Sequence, residues 1–171
     1  MSVNPTGHIQ GRALVLGHDV NTDELHPSRF FSLNDDTVRS GFLQAVPGRR
    51  GEDVSKGRIV VAGRNFGVGS SRETGARVFV LAGVRAVIAE SFGRIFIRNL
   101  TNLGLPAIVA PGVSERVADG DALSVDLTAS TLHLPNGSFL PLAPLDPFLD
   151  AVQRAGGLVA YLGLPTSKSP G

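Results

Sequence analysis

Arg58-Ile59-Val60-Val61-Ala62-Gly63-Arg64-Asn65-Phe66-Gly67-Val68-Gly69-Ser70-Ser71-Arg72-Glu73 is the stretch whose reading decides the fold. Its apolar opening, 58–62, has β character, and the pattern from 75 to 81 is helical. A strand therefore enters a glycine-rich loop and a helix leaves it. Gly63, Gly67 and Gly69 permit positive φ and let a ligand meet the backbone without a Cβ in the way. Such a loop aims backbone N–H groups and the positive end of a helix at one point. Ser70, Ser71 and Arg72 add two hydroxyls and a guanidinium there, a set that suits an anion and above all a carboxylate. A second reading stays open for two of these residues: Ser70-Ser71-Arg72-Glu73 has the form of a capping box, with Ser70 as the cap and Glu73 reaching back to it. That reading accounts for neither Ser71 nor Arg72. An arginine at a helix start opposes the dipole unless a bound anion offsets it.

Moving outward, the centre of the chain alternates strand and helix. The expected elements are a strand over 58–62, a helix over 71–81, a strand over 84–89, a helix over 92–103 and a strand over 105–110. The second helix presents Ile95, Phe96, Leu100 and Leu103 as its apolar face. This β-α-β-α-β order implies a parallel sheet with crossover helices. Upstream, 12–16 reads as a short strand and 17–23 as a polar loop of turn formers. Residues 25–33 read as irregular, 37–45 as a short helix, and 46–57 as a loop rich in Pro, Gly and charge. Downstream, 122–127, 131–134 and 139–142 read as short strands, with Asn136-Gly137 as a tight hairpin turn. Residues 146–155 form a helix capped by Asp146 with Pro147 in its first position, closing at Gly156-Gly157. The expected organisation is a flexible tail over 1–10, one domain over 11–164 and a second flexible tail over 165–171.

Composition narrows the function. A chain of 171 residues with 42% apolar residues builds one real core. Its net charge of +1 gives no reason to expect a nucleic-acid or membrane partner. Arg49-Arg50, set among Gly and Pro, reads as a solvated loop pair. With no cysteine, the chain offers neither disulfides nor thiolate ligands for an iron–sulfur cluster or zinc. His8, His18, His26 and His133 lack metal-ligand spacing, so no metal is expected on this chain. Met1-Ser2-Val3-Asn4-Pro5 has no signal-peptide character, no apolar run reaches membrane-spanning length, and a cytoplasmic protein is expected.

Four motifs in order carry a resemblance. They are Asp19-Val20-Asn21-Thr22-Asp23 with Pro27-Ser28-Arg29-Phe30; Gly63 to Glu73; Ala89-Glu90-Ser91-Phe92-Gly93-Arg94-Ile95-Phe96-Ile97-Arg98-Asn99 with Gly104-Leu105-Pro106; and Ala155-Gly156-Gly157-Leu158. Together they resemble the small subunits of 3-isopropylmalate dehydratases, the swivel-domain part of the aconitase family. The resemblance implies an α/β fold, a swivelling β/β/α domain whose central sheet is mostly parallel, with flanking helices and a short C-terminal β-hairpin region. It implies a large partner subunit that carries a [4Fe-4S] cluster, an active site at the subunit interface, and no activity from this chain alone. It also implies chemistry: a hydroxyl moves between adjacent carbons of a small hydroxy-dicarboxylate by dehydration and rehydration, in leucine biosynthesis, with iron as the Lewis acid.

The resemblance assigns roles by position. Ser70 matches the serine that acts as base on the C–H next to the leaving hydroxyl. Arg72 clamps a substrate carboxylate in a fork that lysine does not copy, and Ser71 adds a hydrogen bond. Thr22 and Asp23 match a Thr-Asp pair near the site; Asp23 also reads as an Asx-turn residue. Arg29 and Phe31 begin the segment that lines the pocket for the substrate's variable arm, where Phe31, Ser32 and Leu33 favour an alkyl arm over a third carboxylate. Phe30 and Phe31 read equally as core aromatics, and Arg29 equally as a residue of the subunit rim. Val68 stands where the family has Cys, and Thr74 where it has His. These departures leave room for a relative acting on another hydroxy-diacid of methylmalate or homoaconitate type. A dinucleotide-binding unit is the remote rival: Glu90 ends the second strand, but Arg72 stands where Gly-x-Gly-x-x-Gly requires glycine.

Overall fold

Ile59-Val60-Val61-Ala62 is buried on both faces, as an apolar β-branched run demands, and forms β2 (Ile59–Ala62) near the middle of a seven-stranded sheet. The computed structural model describes residues 7–49, 51, 54, 56–69 and 72–165. Strand order is β4-β3-β2-β1-β5-β6-β7. β1 (His8–Val15), β2, β3 (Ala86–Ala89) and β4 (Ala107–Val109) are parallel and adjacent in chain order. β5 (Ala122–Asp126), β6 (Thr131–His133) and β7 (Phe139–Pro141) continue the sheet antiparallel. The two halves share β1: residues 8–12 pair with β5, and residues 13–15 pair with β2.

Alternation along each parallel strand feeds two cores. Leu14, Val60, Ala62, Val87 and Ala89 face a core that includes Val38 of α2 (Asp35–Ser40), Ala76 and Phe79 of α3 (Thr74–Leu81) and Phe96 and Leu100 of α4 (Arg94–Asn102). Their neighbours Ala13, Ile59, Val61, Ala86 and Ile88 face Leu123, Val125, Leu132 and Leu140 of the antiparallel half. Helices thus cover one face, and the sheet curls over to cover the other. Phe66, though a loop residue, is fully buried in the first core, with edge-to-face contacts to Phe79, Phe92 and Phe96 at ring separations of 6.2, 6.2 and 5.6 Å. α5 (Pro147–Ala155) packs on α4 and is followed by α6 (Leu158–Tyr161). Gln153 of α5 is buried and accepts a hydrogen bond from the Ala107 N–H at 3.1 Å, tying α5 to β4.

Several elements differ from the sequence expectation. β1 starts at His8 rather than at 12, because residues 8–10, expected as tail, pair with residues 124–126 of β5. Residues 1–6 and 166–171 lie outside the described part of the chain. α1 (Thr22–Leu25) replaces part of the expected loop: the Asn21 side chain accepts from the Asp23 and Glu24 N–H groups, and Glu24 accepts from the Asn21 N–H, a complete capping box. α2 opens at Asp35, earlier than expected, since Asn34 caps it, and it ends at Gly41. On α4, Ile95 is 47% exposed while Thr101 is buried, because the helix begins at Arg94 and its inward face runs through 96 and 100. The β6–β7 hairpin turns at Pro135-Asn136, closed by the Gly137 N–H to Leu134 carbonyl bond of 3.0 Å; Gly137 follows in the left-handed region at φ 82°. Arg49 is no solvated charge: it donates to Asp119 Oδ2 at 3.0 Å and to the Val15 carbonyl at 2.9 Å, whereas Arg50 lies outside the described residues.

Replacing Phe66 with Ala is expected to cost about 3–5 kcal/mol of unfolding free energy in urea titration, the range for a fully buried phenylalanine. A loss near zero would mean that the loop is not anchored in the core.

Candidate functional site

Three loops leave the carboxyl ends of β1, β2 and β3, the edge where open parallel sheets place their ligands. Backbone hydrogen bonds zip these loops together. The Gly67 N–H donates to the Val20 carbonyl at 2.8 Å, and the Thr22 N–H donates to the Val68 carbonyl at 2.9 Å. On the other side, the Phe66 N–H donates to the Ser91 carbonyl at 3.0 Å, and the Gly93 N–H to the Phe66 carbonyl at 2.8 Å. The first three sequence motifs, far apart in the chain, therefore meet along one line. Gly67 has φ 74°, and a Cβ there would stand 2.1 Å from a Phe96 ring carbon, so only glycine serves. Gly63 is needed for a different reason than expected. Its φ is not positive, but a Cβ would lie 2.2 Å from His18 Nδ1, which accepts the Arg64 N–H at 3.0 Å. The positive φ falls on Asn65, at 55°, whose amide donates to Asp19 Oδ1 at 2.7 Å and whose N–H donates to Ser91 Oγ at 2.9 Å.

Ser70 and Ser71 lie outside the described residues. Around them, Gly69 holds φ 116°, and α3 opens at Thr74. Glu73 takes the N-cap position of α3 with no side-chain cap bond, rather than the third helical position that the expected capping box gives it; Ser70, the expected cap, lies outside the described residues. Thr22 is buried beside the loop: a Cβ on Gly69 would meet its Oγ1 at 3.1 Å, and a Cβ on Gly75 would meet its methyl at 3.8 Å. Asp23 is exposed at the first turn of α1, and the Asx cap belongs to Asn21 instead.

Arg72 is exposed, and its guanidinium carbon lies 4.7 Å from the centroid of the Phe31 ring. Phe31 also stacks on His26, with ring centroids 5.4 Å apart and an interplanar angle of 23°. Arg29 takes a different course: its guanidinium covers Phe30, again at 4.7 Å, rather than joining Arg72. Leu33, further along the same segment, is 97% exposed. His26 is buried, with Nε2 3.0 Å from the Val38 carbonyl of α2. Burial pulls its pKa below the usual 6.5, against the opposing effect of the Val38 carbonyl. Sequence reading brought Arg72 and Phe31 to one site but missed His26 and Asn65. Aromatic character at 26, 30 and 31 was the available signal for the first, and tolerance of positive φ by Asn for the second.

No group of three His, Cys, Asp or Glu side chains among the described residues could hold a metal ion. No helix among them is long and apolar enough to cross a membrane. Glu90, the residue a dinucleotide reading would use, accepts a short hydrogen bond from Ser114 Oγ within the fold.

Residues 37–111, which include the glycine loop, match the model of the aconitase C-terminal domain. The chain is 42% identical over 155 residues to the 3-isopropylmalate dehydratase small subunit of Pyrobaculum calidifontis, covering 90% of this chain and 96% of that one. The chain belongs to the 3-isopropylmalate dehydratase small-subunit family. Another member, from Moorella thermoacetica, is 40% identical over 157 residues, covering 90% of this chain and 94% of its own. A crystal structure of a 3-isopropylmalate dehydratase from Methanocaldococcus jannaschii superposes with a TM-score of 0.84 at 34% identity, covering 91% of this chain and 93% of that one. The expected α/β swivel-domain fold, with a mostly parallel centre and an antiparallel hairpin region, is therefore the family's fold.

Because the folded-state pKa of His26 lies below 6.5, the unfolded chain takes up the proton first. Its contribution to stability is present above pH 6.5 and is lost as pH falls from there towards the folded value. Urea midpoints should drop more steeply between pH 7.5 and 5.5 in the wild type than in His26→Phe, which keeps a ring and cannot titrate. Equal slopes would refute this.

Proposed function

We propose that this chain is the small subunit of a 3-isopropylmalate dehydratase, a hydro-lyase that interconverts 2-isopropylmalate and 3-isopropylmalate in leucine biosynthesis and works only with a large subunit. The observation that carries the proposal is the joint of three post-strand loops, held by backbone bonds, which the Gly-Ser-Ser-Arg segment follows in the sequence. The domain is a single swivel unit running from β1 to α6, and the protein is cytoplasmic.

In the proposed reaction, Ser70 Oγ removes a proton from the carbon next to the hydroxyl-bearing carbon. The electron pair left behind forms the alkene as hydroxide departs, and rehydration on the neighbouring carbon reverses the steps. Serine is a poor base unless its alkoxide is stabilised. Backbone N–H groups, the start of α3 and the Arg72 charge supply that stabilisation. Arg72 binds one substrate carboxylate through two parallel N–H···O bonds, and Ser71 adds a third. Thr22, buried beside Gly69, holds the loop in place, and Asp23 stands at the exposed edge of the site. Leu33, exposed beyond Phe31, offers apolar surface to an isopropyl arm, and Arg29, drawn onto Phe30, supplies no cation for a third carboxylate there.

The family resemblance brings a [4Fe-4S] cluster, and the donors of this chain do not fit it. It has no cysteine, and its described residues include no cluster of metal-ligating side chains. The cluster is assigned to the large subunit, and the steps given to this chain concern substrate binding and proton transfer only.

The test is reconstitution: the chain mixed anaerobically with a large subunit bearing an intact cluster, with alkene absorbance followed on 2- and 3-isopropylmalate. Activity is expected only in the mixture. Its absence in a demonstrably formed, cluster-loaded complex would overturn the substrate assignment, and methylmalates and homocitrate would be tried next. Within an active complex, Ser70→Ala should lower kcat by about 100- to 10,000-fold, the range for loss of a general base. Arg72→Lys should lower kcat/KM by about 10- to 100-fold, the worth of a charge-assisted bidentate contact. Turnover that survives Ser70→Ala would place the base elsewhere.

A further inference from the structure

We propose that Phe31 is a positioning residue for Arg72: its ring is a platform that presets the guanidinium for the substrate carboxylate, and His26 holds the platform in place. This deepens the clamp reading of Arg72 given above and rests on it. Arg72 leaves the glycine loop on a long side chain with several rotatable bonds, and it is exposed. A fork that must meet a carboxylate in one geometry loses affinity if it has to be ordered at each binding event. The Phe31 ring, 4.7 Å from the guanidinium carbon, limits that freedom. A guanidinium seated over a ring keeps N–H groups at its edge for a carboxylate, so the two contacts are compatible.

The platform is itself anchored. Phe31 follows the short 3-10 turn Ser28–Phe30, and its N–H donates to the Ser28 carbonyl at 3.0 Å. Its ring stacks on His26, which is 1% exposed and fixed by the 3.0 Å contact of Nε2 with the Val38 carbonyl. Gly41 makes this packing possible: a Cβ there would stand 2.7 Å from His26 Nε2 and 2.6 Å from Phe30 Cβ. Because burial favours the neutral imidazole, the stack holds one positive charge, that of Arg72, rather than two in opposition. A continuous path thus runs from the α2 backbone through His26 and Phe31 to the guanidinium.

The test has two readings, one of which needs no catalysis. In NMR of the full chain, the Arg72 side-chain Nε–H signal should carry a ring-current shift that Phe31→Leu abolishes and Phe31→Tyr retains. In the reconstituted enzyme, Phe31→Leu should raise KM by about two- to five-fold with kcat little changed, the worth of an exposed cation–π contact. Phe31→Tyr should restore it. Because the carboxylate is common to all substrates, the factor should be the same for isopropylmalate and for a methylmalate. A factor that follows the size of the alkyl arm would make Phe31 a direct substrate contact and overturn the proposal, as would an Arg72 signal indifferent to Phe31→Leu. An inactive complex would defeat the isopropylmalate reading, while the NMR signal would still decide whether the platform exists.

Discussion

The backbone bonds from Gly67 to Val20 and from Thr22 to Val68 are the constraint on which the rest of the site depends. Loops at the crest of a parallel sheet ordinarily satisfy their peptide groups with water. Here the loop after β2 gives its peptide groups to the loops after β1 and β3, and Phe66 fixes its centre in the core. Side chains from three separate segments consequently share one frame. A displacement of the central loop, the one after β2, would break hydrogen bonds in the other two.

Val68 and Thr74, the two positions that depart from the resemblance, lie in and beside this joint. Val68 serves the joint through its carbonyl, which any residue supplies, so its side chain is free to vary. Thr74 opens α3 with its hydroxyl buried and without a hydrogen-bond partner, so it contributes shape rather than a polar contact.

Local patterns made much of the fold legible. The apolar runs that become β2 and β3 are short and buried on both faces, and Asp146-Pro147 marks the start of α5. What escaped the reading depends on partners distant in sequence. His8-Ile9-Gln10-Gly11 carries too little apolar alternation to read as a strand, and it becomes one because β5 lies beside it. α1 was hidden because Asn21 and Glu24, which cap it, are also turn formers. At the site, the glycine loop and Arg72 could be read directly, and the resemblance put Thr22 and Asp23 near them. The stack of His26 on Phe31 could not be read, since it depends on how α2 and a 3-10 turn pack together. Nor could the role of Gly63, which answers to the approach of His18 rather than to its own backbone angle.

The division of β1 between two partners has a consequence for biogenesis. Its C-terminal half can pair with β2 once the first part of the chain is made, but its N-terminal half must wait for β5, which lies far along the chain. During synthesis on the ribosome, residues 8–12 therefore present an unsatisfied strand edge until most of the polypeptide has emerged. Closure of the sheet is a late, long-range event that slows folding. It also makes integrity all-or-none: a chain cut short before β5 leaves open the curled half that covers the second core.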